Sequence, residues 1–461
     1  MIYSFFTRKY ELLLIGLHVF LGIVSLFTPW ALIAWIYILI ISSLLVTQDG
    51  KTNVHLLLAY LVGFEILCRM TGTSPWVPWE VGKYLGFVLL VYGIIMDKGA
   101  KSSIGVGVLI VLMCVPAWLM GNEEFDRKAF SMLGIIDLGL FVAYFKNRGI
   151  TIRELNLIFK LLIYPLISIL TYITISTPSF AEVDFQLGAN SQTTGGFGSN
   201  QISTILSIGF FLIGIIYLLG GQLFKWSKLN LLLLAYFIFR SLITFSRGGV
   251  LVAIVALVYF AFRLSFIKNT RILGLQLKKI NFTSIFVGLL ILSSVAVVGN
   301  ELTRGSLFLR YQGETQGTLE GTKAKTLNSI TTNRWSIMLS DLKIWSENPL
   351  LGVGGGNSAS LRNKYGTSNI VAHTEFTRVL SEQGVFGIVI LCILFFRPIT
   401  IFFSEDKLTA SLTLCFWLLA IGTAFHAGMR TLVTPFFFGL SFIQIVSLKE
   451  TNPFIVSNKN L

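Results

Sequence analysis

The chain has 461 residues, of which 54% are hydrophobic and only 13% are charged, and its mean hydropathy is +0.76. Soluble domains carry about 25% charged residues, so this composition excludes an ordinary soluble protein and predicts an integral membrane protein. The formal net charge of +14 could indicate a nucleic-acid-binding protein. However, the basic residues are scattered through short loops, as is typical of residues that set membrane topology. We therefore expect no nucleic-acid partner.

Apolar stretches long enough to span a bilayer, about 20 residues each, recur along the chain. We predict an all-α integral membrane protein with about fourteen transmembrane helices, within a range of about 12–14. The predicted spans are 11–28, 30–47, 54–70, 80–96, 102–120, 130–146, 155–177, 201–220, 229–246, 248–265, 282–299, 384–402, 408–426 and 431–448. Arg8 and Lys9 precede the first stretch without a small-residue cleavage site, so we expect a retained first helix. All four cysteines lie within apolar stretches, where we expect small apolar residues and neither disulfides nor a zinc site.

The distribution of basic residues predicts how the helices are oriented. If the N-terminus is cytoplasmic, 20 of the 36 lysines and arginines lie on the cytoplasmic side. The short outer connections and outer helix ends then hold seven, and the remaining nine lie in one long outer loop. The positive-inside rule applies weakly to such long loops. The sequence therefore predicts that both termini are cytoplasmic.

Two polar outer segments interrupt the pattern of short turns. Residues 178–200 end in the run NSQTTGGFGSN, and residues 300–383 are too long and hydrophilic to be a passive connector. We therefore divide the chain into residues 1–299 with eleven helices, the large extracytoplasmic loop 300–383, and residues 384–461 with three helices and a short cytoplasmic tail.

The large loop contains recognisable helical patterns. In NRWSIMLSDLKIW, helical spacing relates Trp335, Met338, Leu342 and Trp345. Such an apolar face with two tryptophans would suit the outer membrane interface. A second short helix, HTEFTRVLSEQ, should end at Gly384. The segment LLGVGGGNSAS between them should be a turn-rich loop. Its glycine-rich run GVGGGN (352–357) lacks the lysine and the Ser/Thr of a nucleotide-binding P-loop, so an ordinary loop is the simpler interpretation.

The segment FRSLITFSRGG holds two arginines, Arg240 and Arg247. Seven residues apart, they would lie on one face of a helix. Arg247 alone could extend into the interface, but Arg240 lies deeper and needs a partner or an aqueous cavity. A cation at the bilayer centre costs at least about 2.5–3.5 kcal/mol, so the pair indicates a functional site. Gly248 and Gly249 permit a tight turn whose backbone N–H groups could help to hold an anion.

Other polar residues are weaker candidates. Arg334 could bind phosphate through its planar guanidinium, although a surface arginine is the simpler interpretation. His373 could act as a general base, although a solvated loop histidine is the simpler one. His426 and Arg430 lie together at another predicted outer helix end and could face the same cavity. Glu65 and Arg69, at positions i and i+4, should form a structural ion pair inside the bundle.

The order of these motifs resembles the O-antigen ligase/polymerase superfamily of bacterial glycan-building enzymes. The resembling elements are SRGG (246–249), NRWSIMLSDLKIWSENPLLGVGGGN (333–357) and HTEFTRVLSEQGVFG (373–387). In ligases of this family the last element is a histidine, a small polar residue, nine residues and Gly-x-x-Gly. His373, Thr374, Gly384 and Gly387 match that spacing, with threonine in place of the commoner asparagine, serine or glutamine. The resemblance covers roughly residues 195–390.

The resemblance implies a fold and a reaction. It implies an all-helical membrane enzyme whose outer loop covers a cavity open to lipid, in the bacterial cytoplasmic membrane with its site facing the periplasm or cell exterior. The donor would be a glycan linked to a polyprenol through pyrophosphate. Arg247 and Arg334 would bind the pyrophosphate and His373 would deprotonate the acceptor hydroxyl. The expected further cavity residues are Arg240, Arg378, Arg430 and His426.

The reaction class leaves alternatives open. The resemblance implies a metal-independent transfer without a cofactor, and its expected partners are the glycan donor, a glycan or lipid-linked acceptor, membrane lipid and a chain-length regulator. The family analogy slightly favours a polymerase over a ligase that transfers finished glycan to the lipid A core. A lipid-linked-sugar flippase or transporter is the alternative of another class. The long outer loop and the gathering of Arg and His at the outer side favour the enzyme.

Overall fold

The computed structural model is built almost entirely of helices. It describes residues 10–48, 53–96, 105–121, 124–267, 271–272, 275–276, 282–367, 374–403 and 406–446. The helices before the large loop are α1 (Glu11–Phe27), α2 (Trp30–Gln48), α3 (Val54–Met70), α4 (Val81–Met96), α5 (Gly105–Met120), α6 (Phe125–Phe145), α7 (Ile152–Ser176), α8 (Ser199–Leu218), α9 (Ser227–Leu242), α10 (Arg247–Ser265) and α11 (Phe282–Leu302). The loop holds α12 (Ser306–Tyr311), α13 (Gln316–Leu319), α14 (Leu327–Ile330), α15 (Arg334–Glu347), α16 (Ser358–Leu361) and α17 (Glu375–Gln383). The last helices are α18 (Val385–Phe402), α19 (Lys407–His426) and α20 (Val433–Leu440).

Short irregular elements complete the described chain. Single 3₁₀ turns cover Gln192–Thr194, Arg362–Tyr365 and Gly428–Arg430. Four two-residue strands form two small ladders. β1 (Gly149–Ile150) pairs in parallel with β4 (Gln444–Ile445), and β2 (Arg271–Ile272) pairs in antiparallel orientation with β3 (Leu275–Gln276).

The helices agree closely with the apolar stretches of the sequence. Each of the first thirteen predicted spans coincides with a helix of 16 to 25 residues. Six described helices are long and apolar enough to cross a membrane by length and composition, and five further apolar helices have 10–17 residues. The chain is therefore a multi-pass helical membrane protein, whereas a total of about fourteen crossings stays a prediction.

The fourteenth predicted span, 431–448, is not a regular spanning helix over its described residues. α20 has eight residues, a rise of about 12 Å, which is far short of the roughly 30 Å hydrocarbon core. The backbone continues irregularly, and Gln444 N–H then bonds to the carbonyl of Arg148 at 2.9 Å. All eight residues of α20 are buried in protein, where irregular backbone is tolerated at membrane depth.

Small residues let the helices of the core approach closely. A Cβ at Gly22 of α1 would lie 2.5 Å from the carbonyl oxygen of Ser168, and one at Gly63 of α3 would lie 2.4 Å from that of Leu162. Both carbonyls belong to α7, so α7 packs closely against the glycines of α1 and of α3. Such contacts are the usual means of packing helices in lipid, where apolar burial supplies little driving force between helices.

Polar contacts between connecting segments occur at both ends of the helical bundle. At one end, Glu11 pairs with Lys160 and accepts a bond from Lys225 N–H at 2.8 Å. At the other end, Gly355 N–H bonds to Ala117 O at 2.9 Å, next to the large loop. We call this second end the outer end, because the segments predicted to be extracytoplasmic meet there.

The face of α15 that carries its tryptophans is partly exposed. The buried side of α15 consists of Ile337, Ser340, Asp341 and Ile344. Trp335 is 43% exposed and Leu342 is 37% exposed, whereas Met338 and Trp345 are half-buried. The face identified from helical spacing is therefore only partly exposed. The second loop helix, α17, ends at Gly384 as expected, with a backbone φ of 58°.

Candidate functional site

The SRGG motif begins a helix after a sharp break in the chain. α9 ends at Leu242 and α10 begins at Arg247. Between them Phe245 takes a left-handed backbone with φ of 58°, which no continuous helix contains. The expectation that Arg240 and Arg247 share one helical face is therefore wrong. The two arginines lie on different helices and make different contacts.

Arg247 extends from the first turn of α10 into the large loop. Its Nη1 donates a hydrogen bond to the backbone carbonyl of Arg310 at 3.1 Å, and its Nη2 donates to that of Ile330 at 2.5 Å. These carbonyls belong to α12 and α14. The loop therefore covers the side chain and fixes its direction.

Arg310 fastens the same turn from the other side. Its Nε donates to the carbonyl of Phe245 at 3.2 Å and its Nη1 to that of Leu187 at 3.0 Å. The side chain is buried. Arg310 thus joins the left-handed turn, the outer segment 178–200 and α12 at one point.

Arg247, Arg310 and Arg334 form what we call the arginine cluster. Arg334 is the first residue of α15, and burial together with the charge of Arg247 lowers its pKa to about 10. Burial and the charges of Arg247 and Arg334 likewise lower the pKa of Arg310 to about 10. The three cations repel one another, and all three stay protonated at neutral pH. An excess of positive charge next to the N-terminus of α10 favours a bound anion.

Arg240 is a structural clamp. Its Nη2 donates to the carbonyls of Ile173 at 2.8 Å and Thr193 at 2.9 Å, and to the hydroxyl of Thr177 at 2.7 Å. Only 2% of the residue is exposed. Its partners are backbone and hydroxyl oxygens, and through them it connects the end of α7 to the outer segment 178–200.

A buried ion network holds α17. Arg378 pairs with Glu375 and with Glu382 at 2.8 Å, and it also bonds to the hydroxyl of Ser131 on α6. Burial lowers the pKa of Arg378, but the two carboxylates outweigh it and the net shift is upward. Glu375 accepts a further bond from Met429 N–H at 2.7 Å. The network therefore connects α17 with α6 and with the segment after α19.

A second buried pair extends this network into the loop. Arg362 pairs with Asp341 at 2.7 Å, and both side chains are fully buried. Ser358 links the two networks, since it accepts a bond from Arg362 at 3.3 Å and donates to Glu382 at 2.7 Å. Burial raises the pKa of Asp341, although Arg362 opposes that shift. This chain of contacts fixes α15 and α16 against α17.

These elements enclose a cavity of about 490 Å³ at the outer end. It is lined by Trp79, Glu80, Asp126, Arg127, Phe130, Ser131, Gly356, Ser358, Ala359, Ser360, Arg362, Glu375, Arg378, Glu382, Met429 and Arg430. Of the four residues expected to line a cavity, Arg378 and Arg430 do so. Arg240 and His426 are not among its lining residues.

Arg430 lines the cavity, and its charged neighbours include one member of the arginine cluster. Burial is the main reason why its pKa falls to about 10, and Arg378 and Arg334 are among the positive charges that lower it further. Arg378 belongs to the cavity and Arg334 to the cluster. The cavity and the cluster therefore form neighbouring parts of one polar region.

His426 packs against the SRGG turn. Its Nε2 lies 3.2 Å from the hydroxyl of Ser246, and a Cβ at Gly248 would lie 2.1 Å from its Nδ1. Gly249 also packs closely, since a Cβ there would lie 2.8 Å from the side-chain oxygen of Ser203. The two glycines therefore lie within the first turn of α10 and permit close packing, whereas a separate tight turn was expected from the sequence. A role of their backbone N–H groups in holding an anion stays a prediction.

Two further expectations concern a histidine and an ion pair. His373 lies outside the described residues, so its role stays a prediction; the described chain resumes at Thr374, directly before α17. Glu65 and Arg69 form the expected buried ion pair at 2.6 Å. Glu65 also accepts a bond from Leu432 N–H at 2.8 Å, which confirms a structural role.

Sequence reasoning missed Arg310 and the carboxylates Glu375 and Glu382. Arg310 occurs in SLFLRY, and an arginine among apolar residues in a polar loop is a weak signal of a buried cation. The two glutamates lie three residues before and four residues after Arg378, a spacing that favours ion pairs on a helix.

Comparison with protein families gives a match that covers much of the candidate site. Residues 229–392 match the family model described as O-antigen ligase. The matched range contains the SRGG turn, all three members of the arginine cluster, and α17. No curated protein matches the chain. The match confirms the resemblance that the motifs indicated.

Proposed function

We propose, from the O-antigen ligase/polymerase relationship of residues 229–392, that this membrane protein transfers glycans from a polyprenyl-pyrophosphate donor. The relationship supports a ligase- or polymerase-type role in glycan assembly. The more specific proposal is polymerisation: lipid-linked oligosaccharide units are joined into a surface polysaccharide (O-antigen, capsule or exopolysaccharide) on the outer face of the cytoplasmic membrane.

The observation that carries the proposal is the arginine cluster. The positive charge of Arg247 helps to lower the pKa of Arg334, and carbonyl partners hold Arg247 in place. Guanidinium groups bind phosphate oxygens in a planar, two-pronged manner. A pyrophosphate would neutralise the mutual repulsion of the cluster, which supports an anionic donor group at this site.

The cluster would act on the leaving group. In the transfer, the acceptor hydroxyl oxygen forms a bond to the anomeric carbon while the bond from that carbon to the pyrophosphate oxygen breaks. The electron pair of the breaking bond goes to the pyrophosphate, where negative charge grows. Positioned arginines in a water-poor site stabilise that charge in the transition state.

The acceptor hydroxyl must also lose its proton. His373 is our proposed base, because a neutral imidazole titrates near neutral pH and α17 begins two residues later. The ion network of Glu375, Arg378 and Glu382 would fix the helix that follows the base. No step requires a metal ion, so the proposed transfer should proceed in the presence of EDTA.

A ligase is the second candidate, since the matched family is described as O-antigen ligase. The decisive experiment uses the purified protein in nanodiscs with a short polyprenyl-pyrophosphate-linked oligosaccharide, EDTA and no nucleotide sugar. A ladder of longer lipid-linked products would establish the polymerase. Transfer only after addition of lipid A core would establish the ligase. Failure of both with authentic substrates would overturn the proposal and favour a transporter.

Variants make the same assay specific to the site. Arg247→Gln, Arg334→Gln and His373→Ala should each abolish transfer while the protein remains inserted and monodisperse. Lys343→Gln is the matched control, because Lys343 lies on α15 with Arg334 but contacts the ring of Tyr365. Full activity in Arg247→Gln and His373→Ala would exclude the proposed roles.

A further inference from the structure

The cavity and the arginine cluster differ sharply in charge. The cavity lining contains four carboxylates and four guanidinium groups, so it is formally neutral. The electrostatic neighbours of Arg310 in the cluster are two other arginines and Tyr311. A neutral site and a cationic site beside each other suit two different chemical groups of the reacting molecules.

Much of the cavity wall is already fixed by internal bonds. Both oxygens of Glu382 accept bonds, one from Ser358 and one from Ser131. Glu375 is held by Arg378 and Met429 N–H. These groups shape the wall, and their hydrogen-bonding capacity is largely used within the protein.

Other lining groups are open to a ligand. Trp79 is 55% exposed, and its ring touches Phe197 at a centroid distance of 6.1 Å, so one aromatic surface is supported from the side. Asp126 and Ser360 are exposed parts of the same lining. The hydroxyl of Ser360 donates to the carbonyl of Asn357 at 2.9 Å, so towards a ligand it acts as an acceptor. An aromatic surface with a carboxylate and a hydroxyl around it matches a sugar ring, which has an apolar C–H face and an edge of hydroxyl groups.

We propose that this cavity binds the acceptor saccharide, as a short and uncharged oligosaccharide segment that stacks on Trp79 and donates a hydroxyl hydrogen bond to Asp126. Its volume of about 490 Å³ lies within the range of small-molecule sites, about 300–1,000 Å³. This inference rests on the proposed function, since the adjacent arginine cluster is assigned there to the donor pyrophosphate. The saccharide could belong to the acceptor or to the donor. We assign it to the acceptor because Glu375, which lines the cavity, is the first residue of α17 and follows the proposed base His373 by two residues.

The test separates the two sites with two probes. The first is the lipid-free oligosaccharide repeat released by mild acid from the host's own surface polysaccharide, which can serve only as an acceptor. The second is polyprenyl pyrophosphate without sugar. Both are titrated calorimetrically into the full-length protein in nanodiscs. Trp79→Ala and Asp126→Asn are each expected to weaken oligosaccharide binding about tenfold and to leave polyprenyl-pyrophosphate binding unchanged.

Trp76→Ala is the matched control. Trp76 lies in the same connection between α3 and α4 and is 60% exposed, but it contacts Trp30 and does not line the cavity. Its oligosaccharide affinity should stay within about twofold of the original protein. The cavity assignment is overturned if the original protein does not bind the oligosaccharide, or if both cavity variants bind it as tightly as Trp76→Ala does.

The Arg247→Gln variant distinguishes a failure of the cavity assignment from a failure of the proposed function. Arg247→Gln should lose polyprenyl-pyrophosphate binding and keep oligosaccharide binding. If Arg247→Gln retains pyrophosphate binding while Trp79→Ala loses the oligosaccharide, the cavity assignment stands and the proposed donor site fails. If Trp79→Ala instead raises the KM of the lipid-linked donor and not that of the lipid-free acceptor, the saccharide in the cavity is the donor's and our assignment is wrong.

Discussion

Arg310 offers the sharpest test of how the outer loop controls the site. Its guanidinium bonds to the carbonyls of Phe245 and Leu187 at 3.2 and 3.0 Å, and its own carbonyl accepts from Arg247. Arg310→Met removes both side-chain donors and leaves two buried acceptors. A hydrogen bond from a charged group contributes about 1.5–3 kcal/mol, so the two bonds together hold the turn by about 3–6 kcal/mol.

The lower figure already predicts a large loss of function. Because 1.4 kcal/mol is a factor of ten in an equilibrium constant, a loss of about 3 kcal/mol makes the ordered turn about a hundredfold less populated relative to open states. Arg247 follows this turn directly, and its position depends on the turn. Glycan transfer should therefore fall up to about a hundredfold. Arg310→Lys restores a charge and one donor, and it should recover part of the loss. The measurement is kcat/KM for transfer, with KM for the donor determined separately.

Arg304→Met is the control for this prediction. Arg304 lies six residues earlier, is exposed, and bonds to the carbonyl of Ala181 in the same outer segment at 2.7 Å. Its loss should change transfer by less than about threefold, as for most exposed substitutions. Equal activities of Arg310→Met and Arg304→Met would refute the idea that Arg310 positions Arg247.

Two further predictions concern stability. Arg362→Met leaves Asp341 buried without its cation and should destabilise the loop by about 3–5 kcal/mol, whereas the double variant with Asp341→Leu should be destabilised less. The rate of proteolysis within 300–383 measures both effects. A double variant that is cut faster than either single variant would contradict the coupling of the two residues. Gly248→Ala should cost about 1–3 kcal/mol through overpacking against His426. Gly16→Ala places no atom within 4 Å of the added Cβ and should therefore leave the stability unchanged. Equal thermal stability of the two glycine variants would contradict this prediction.

The helical framework was predictable because it depends on local composition. Thirteen apolar stretches correspond to helices, since a chain in lipid must satisfy its backbone groups internally. The exception at α20 has a tertiary cause. Its residues are surrounded by other helices, so hydropathy alone does not distinguish a buried irregular crossing from a spanning helix.

The candidate site was only partly predictable. Arg247, Arg334, Arg378 and Arg430 were named as candidates because arginines near membrane helices are costly and because the motifs resemble a known family. The partners of Arg240 could not be foreseen, since they are backbone carbonyls and a hydroxyl of α7 and the outer segment. A cation whose charge is balanced by carbonyl dipoles leaves no acidic partner in the sequence to reveal its structural role.

The sequence by itself determined that the chain is a helical membrane protein, where most helices lie, and which arginines are candidates for an anionic substrate. These features depend on composition and periodicity, which are local. Only the tertiary structure decided that Arg240 is a clamp, that Arg310 holds the turn before Arg247, and that a neutral cavity lies next to the arginine cluster. Those features arise where distant segments meet, because burial and the distance between charges depend on how the helices pack.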